Sequence, residues 1–65
     1  MIAEQPTRRI KKLLQEAGFS PQRTVGSHTY WTGPNGTAVS IPDGHNTISP
    51  GVVRQVHKAI EQSKN

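Results

Sequence analysis

The sequence predicts an α+β domain in the order helix, three strands, helix, with both helices on one face of a three-stranded antiparallel sheet. Three observations predict it. Apolar residues recur at helical spacing near both ends of the chain, and the middle third alternates between glycine-rich turns. Only one side of the alternating segment is apolar enough to cover two amphipathic helices, so both must share that side. A chain of 65 residues holds one such domain, spanning 1–65, and no second core.

Taken in order, residues 1–6 read as an irregular lead-in. Ile10, Leu13, Leu14 and Ala17 then fall at i, i+3, i+4 and i+7, one apolar stripe of a helix over 8–17. Thr7 is placed as its N-cap and Gly18 as the C′ residue. Arg8, Arg9, Lys11, Lys12 and Gln15 face outward or flank the stripe, and Phe19 anchors the chain end in the core. A first strand follows at 22–25, with Pro21 at its start or at an edge position. Gly26 and Ser27 make a tight turn. Residues 28–32 alternate as a second strand, and Gly33-Pro34-Asn35-Gly36 supplies the positive φ values of a hairpin. Residues 37–41 form the third strand, with Thr37, Val39 and Ile41 on one face. After a loop at 42–46, Ser49 and Pro50 announce a helix over 50–62, serine at N-cap and proline at N1. Val52, Val53, Val56 and Ile60 form its apolar face, and His57 with Glu61 an i,i+4 pair.

Composition narrows the function. With 31% hydrophobic residues the core is small and a deep substrate cavity has no room. Chemistry on such a domain takes place at a surface and acts on a large, extended substrate. Eight Lys and Arg against four Asp and Glu give a net charge of +4, which favours polyanions through counterion release. The chain has no cysteine, so disulfides and thiolate metal sites are excluded. No apolar run has the length of a signal-peptide core or a membrane span, and the cytoplasm is the expected compartment.

Alternation along 28–32 sets the orientation of the candidate site. Trp31 is the largest apolar side chain and belongs in the core together with Thr29. His28, Tyr30 and Thr32 then stand on the open face, where function is expected. Read without any family, His28 is a surface or strand-capping histidine. It is also the natural single-residue tool for cutting RNA, since imidazole takes up and releases protons near neutral pH. It can accept the proton of a ribose 2′-hydroxyl, whose oxygen attacks the adjacent phosphate. The nucleophile lies in the substrate, so this chemistry needs no metal and no cofactor. Cationic side chains stabilise the developing phosphorane charge, and Tyr30 offers a ring on which a base can stack. His28, His45 and His57 are separated by 17 and 12 residues, a poor metal-ligand spacing. The glycines of the 33–36 turn precede a strand, so they form no phosphate loop.

Beyond these readings the chain resembles the HicA-type mRNA interferases, toxins of bacterial toxin–antitoxin pairs. The resemblance runs from Ile10 to about Gln62. It rests on Leu13-Leu14, Gly18-Phe19, Arg23, Gly26-Ser27-His28, Trp31, Pro34-Asn35-Gly36, Val39, Ile41-Pro42, His45 and Ser49-Pro50-Gly51. It implies a double-stranded-RNA-binding-domain-like fold and an mRNA endoribonuclease with His28 as catalytic residue, which with the chemistry above makes a metal-independent enzyme the expectation. Val25 stands where the family often carries a basic residue. The candidate RNA contacts are Arg23, Ser27, Tyr30, Lys12 and His45. A cognate HicB-type antitoxin is implied as partner, and an acidic one should cover a basic open face around His28. The alternative is a non-catalytic RNA-binding module of the same fold; a DNA-binding protein is more distant, since no helix-turn-helix spacing is visible.

Overall fold

A computed structural model of the chain describes residues 3–64. Two helices, α1 (Thr7–Glu16) and α2 (Pro50–Ser63), cover one side of an antiparallel sheet with strand order β2–β3–β4. The strands are β2 (Ser20–Val25), β3 (His28–Thr32) and β4 (Ala38–Ile41). The molecule is 30 × 29 × 16 Å across, the thickness of one helical layer on one sheet. This is the α+β, double-stranded-RNA-binding-domain-like architecture expected from the sequence.

Each helix follows from its apolar stripe. Ile10 and Leu14 are fully buried, with Leu13 and Ala17 packed at the margin. The end of α1 is a complete Schellman motif: Phe19 N–H donates to Leu14 O at 2.9 Å and Gly18 N–H to Gln15 O at 3.1 Å. Gly18 takes φ 88° there, a conformation costly for any residue with a Cβ. On α2 the buried residues are Val53, Val56, Ala59 and Ser63, while Val52 and Ile60 are half-buried. The stripe is thus turned toward Ala59 relative to the expected one. Ser49 and Pro50 occupy the N-cap and N1 positions, but the Ser49 side chain makes no capping bond. Glu61 pairs with Lys64 at 4.0 Å rather than with His57.

Three further differences concern the ends of elements. Gln5 and Pro6, expected to be irregular, form strand β1, paired antiparallel with β5 (Thr47–Ile48); Met1 and Ile2 lie outside the described residues. Thr7 is the first helical residue rather than the N-cap. Its hydroxyl donates to His45 O and its N–H to Asn46 O, because the 42–46 loop wraps over the start of α1. Finally, β2 begins at Ser20 and includes Pro21, which an outer strand tolerates because it needs no ladder N–H there. The β3–β4 hairpin turn is as expected, with positive φ at Asn35 (61°) and Gly36 (72°). The Asn35 side-chain amide also donates to Ser63 O at 3.0 Å, tying the turn to the end of α2.

The core gathers Ile10, Leu14, Phe19, Trp31, Val39, Ile41, Ile48, Val53, Val56 and Ala59. Trp31 is 2% exposed, beneath the helices as expected. Its indole N–H has no acceptor among the described residues. Leaving a buried donor unpaired costs about 1–3 kcal/mol, so Trp31 is retained for its apolar bulk. Trp31→Ala is therefore expected to lose about 3–5 kcal/mol of stability in urea titrations. Trp31→Phe should lose far less, since it removes the unpaired donor along with part of the ring. Equal losses in the two variants would show that the indole N–H carries no penalty.

Candidate functional site

Burial along β3 alternates strictly, with Thr29 and Trp31 inside and His28, Tyr30 and Thr32 exposed. Cross-strand partners share a face, so the register extends the open face to its neighbours. Val25 lies opposite His28, Arg23 and Ser40 opposite Tyr30, and Ser20 and Ala38 opposite Thr32.

Arg23 reaches this face only because β2 is irregular. Pro21 pairs with Trp31, on the core side, and in a regular strand Arg23 would point the same way. The register shifts between Pro21 and Arg23, leaving Gln22 as the extra residue of a β-bulge. Beyond the bulge Arg23 faces outward, and Thr24 turns inward to meet Thr29. The Arg23 guanidinium carbon sits 5.3 Å from the centre of the Tyr30 ring, a cation–π contact that leaves Tyr30 42% exposed. The site therefore has an exposed imidazole, an arginine-backed aromatic ring and, at Val25, a 56% exposed apolar side chain.

His28 is held by backbone rather than by side-chain partners. The two-residue turn Gly26-Ser27 (Gly26 φ 62°) joins Val25 to His28 directly. The 42–46 loop clamps that turn: Gly44 N–H donates to Ser27 O at 3.0 Å. A Cβ on Gly44 would lie 2.7 Å from Ser27 Cβ and 3.2 Å from its Cα, so only glycine permits this approach. Asp43 anchors the loop. Its carboxylate accepts from Thr29 Oγ1 at 2.9 Å and pairs with Lys11 Nζ at 3.6 Å. Since Thr29 has one hydroxyl proton, given to Asp43, the 2.9 Å contact between Thr24 and Thr29 is donated by Thr24. One chain of bonds thus links β2, β3, the loop and α1 immediately behind His28.

The structure brings Arg23, Ser27, His28 and Tyr30 together and leaves two candidate RNA contacts elsewhere. His45 lies in the clamping loop, beside Arg8 and Lys11 in an open depression. Lys12 is exposed on α1, in the helical layer. The open face is also less basic than expected, for a simple reason of placement. Arg23 is its one Lys or Arg; Arg8, Arg9, Lys11 and Lys12 lie on α1, and Arg54, Lys58 and Lys64 on or just after α2. Asp43 and Gly44, which the sequence places only in the 42–46 loop, hold the site. A Pro-Asp-Gly turn signal marked the loop, but nothing local indicated what it touches. Among the described residues no three His, Asp or Glu side chains converge as metal ligands would, and no helix is long and apolar enough to cross a membrane.

The class this defines is a two-layer, double-stranded-RNA-binding-domain-like protein with an exposed histidine on its open sheet face. A family model described as the HicA toxin of bacterial toxin–antitoxin systems matches residues 7–64. The chain belongs to that family of mRNA interferase toxins. Comparison with curated proteins and with solved structures gives no match.

The clamp makes a prediction of its own. Gly44→Ala should cost about 1–3 kcal/mol by overpacking against Ser27. Asp43→Ala should cost about 1–3 kcal/mol by leaving the buried Thr29 hydroxyl without its acceptor. Urea melts of both variants check this; parent-like midpoints would mean that the loop does not bear on the turn.

Proposed function

We propose that this chain is an mRNA endoribonuclease that works in the cytoplasm without a metal and uses His28 as general acid–base. The observation that carries the reading is the exposed His28 at the head of β3, on the same open face as the Arg23–Tyr30 pair. Arg23 supplies a positive charge next to where a phosphate would lie, and the free area of the Tyr30 ring can stack on a base. The His28 imidazole accepts the proton of the ribose 2′-hydroxyl. The 2′-oxygen then bonds to phosphorus as the bond to the 5′-oxygen breaks, and the 5′-oxygen leaves with a proton from the imidazolium or from water. The products are a 2′,3′-cyclic phosphate and a 5′-hydroxyl. Ser27, at the turn, is the adjacent polar contact for the backbone. The role of the fold is positional: a two-residue turn, clamped from behind, holds the imidazole at a fixed height above an open surface.

Family membership also supports a cognate HicB-type antitoxin that binds the His28 corner and blocks it. Since the open face carries one Arg, such an antitoxin gains little from charge there and gains more by covering Val25 and Tyr30.

With a chelator present, the purified protein should cut single-stranded mRNA and leave a cyclic phosphate. His28→Ala should slow cleavage on the order of 10²-fold or more while keeping most RNA affinity. A 2′-deoxy substitution at the cut position should abolish cleavage there. If His28→Ala cleaves like the parent, the assignment is wrong; if the parent binds RNA and never cuts, the non-catalytic module is the correct reading. Co-expression with the adjacent gene product should recover a complex in which Val25 and Tyr30 become protected from solvent. A complex that leaves both exposed and cleavage intact would rule out direct occlusion.

A further inference from the structure

The amino-terminal half of α1 is electrostatically at odds with itself. Arg8, Arg9, Lys11 and Lys12 crowd the first two turns, with Arg8–Lys11 and Arg9–Lys12 at i,i+3 and Arg8–Lys12 at i,i+4. Like charges at these spacings repel, and cations are unfavourable at the positive end of a helix. The first turn has no acidic residue to offset them. Lys11 is relieved by Asp43 at 3.6 Å, but Arg8, Arg9 and Lys12 have no ion-pair partner among the described residues. Glu16, the acid of α1, stands at i,i+4 from Lys12 and shares a depression with Arg9 and Lys12, without an ion-pair contact to either. A local arrangement that costs stability and is offset only in part, at Lys11 by Asp43, marks a surface shaped by a ligand.

The shape agrees. Arg8 lines two adjoining open depressions, one with Lys11, Asp43, His45 and Asn46, the other with Pro6, Arg9 and Lys12. Apart from Pro6 the lining residues are of polar or charged type, with guanidinium and ammonium heads that a phosphate backbone can engage. The first depression is lined by His45, from the same loop that clamps the turn before His28. His45 adjoins Gly44, whose N–H holds Ser27 O, and Ser27 precedes His28. The clamping loop therefore lies between His28 and the start of α1, and the cations are those of the helix, Arg8, Arg9, Lys11 and Lys12.

We propose that Arg8, Arg9, Lys12 and His45 form a second binding site for the phosphate backbone of the substrate RNA, engaging nucleotides beyond those held at His28. This rests on the ribonuclease reading above and extends it: cleavage is confined to one corner of the sheet, and most of the binding energy comes from the helical layer. It also accounts for a basic protein whose open face holds one Arg.

The test compares the full-length parent with Arg8→Gln/Arg9→Gln/Lys12→Gln by titrating short and long single-stranded 2′-O-methyl oligoribonucleotides, which cannot be cut, at several salt concentrations. The triple variant should bind the long oligonucleotide on the order of tenfold or more weakly, with a salt slope shallower by about 2, the value for three phosphate contacts. Binding of the short one should change little. Its melting temperature should equal or exceed the parent's, because repulsion at the helix start is removed; a purely structural role would lower it. Arg54→Gln/Lys58→Gln, which takes charge from α2, should weaken long-oligonucleotide binding less. Parent-like affinity and slope in the triple variant overturn the site, as does an equal loss for short and long oligonucleotides. Unchanged RNA binding with lost capture of an acidic antitoxin would also overturn it and assign the patch to the protein partner. The failures are separable: His28→Ala cleaving like the parent sinks the catalytic assignment, and the oligonucleotide titrations still decide the site.

Discussion

The burial of Trp31 sets the phase of β3, and the phase of β3 decides what the open face can do. Side chains in a strand alternate, so one residue placed firmly inward assigns every other residue of that strand. Sinking the indole under two helices outweighs the competing preferences of four smaller neighbours. It does so despite an unpaired indole N–H. His28 and Tyr30 point to solvent as a consequence, and Thr29 is sent inward to meet Thr24 and Asp43. Hydrophobic burial and the chemical surface are two sides of one strand, which is how a chain with so small a core positions reactive groups.

Much of this was legible in the sequence because it is periodic. The stripe of Ile10, Leu13, Leu14 and Ala17, the alternation around Trp31 and the Asn35-Gly36 turn each rest on local rules. Features without a period were not legible. The two-residue strands β1 and β5 are too short to alternate, and they exist because the segments meet across the fold. Thr7 has the chemistry of a cap but donates to the carbonyl of His45, a partner 38 residues away. Arg23 was a candidate RNA contact, but its route to the open face depends on a bulge at Gln22 that the sequence does not announce. Among the candidate contacts, Arg23, Ser27 and Tyr30 gather around His28. Lys12 and His45 do not, because α1 and the 42–46 loop approach the site from the opposite layer.

The distribution of charge divides labour between the layers. Seven of the eight basic residues belong to the helices or lie just after them, against one on the open face. Near His28 the field is weak and the surface is partly apolar, with Val25 and Tyr30 both exposed. In the proposed function, encounter with RNA falls to the helical layer and local geometry to the sheet, and the clamp of Asp43 and Gly44 joins the two layers. A change in that loop therefore disturbs the turn that carries His28 and the start of α1 together.

The irregularity in β2 has a consequence unrelated to any substrate. β2 is an outer strand with all six residues exposed, and a free strand of that length is a template on which another chain can stack and polymerise. Pro21 withholds an N–H from that template, the bulge breaks the even spacing of the remaining donors and acceptors, and Arg23 sets a charge beside them. An incoming strand finds neither register nor neutrality. The kink that aims an arginine at Tyr30 thus also keeps the rim of the sheet from seeding aggregates whenever the chain is without a partner.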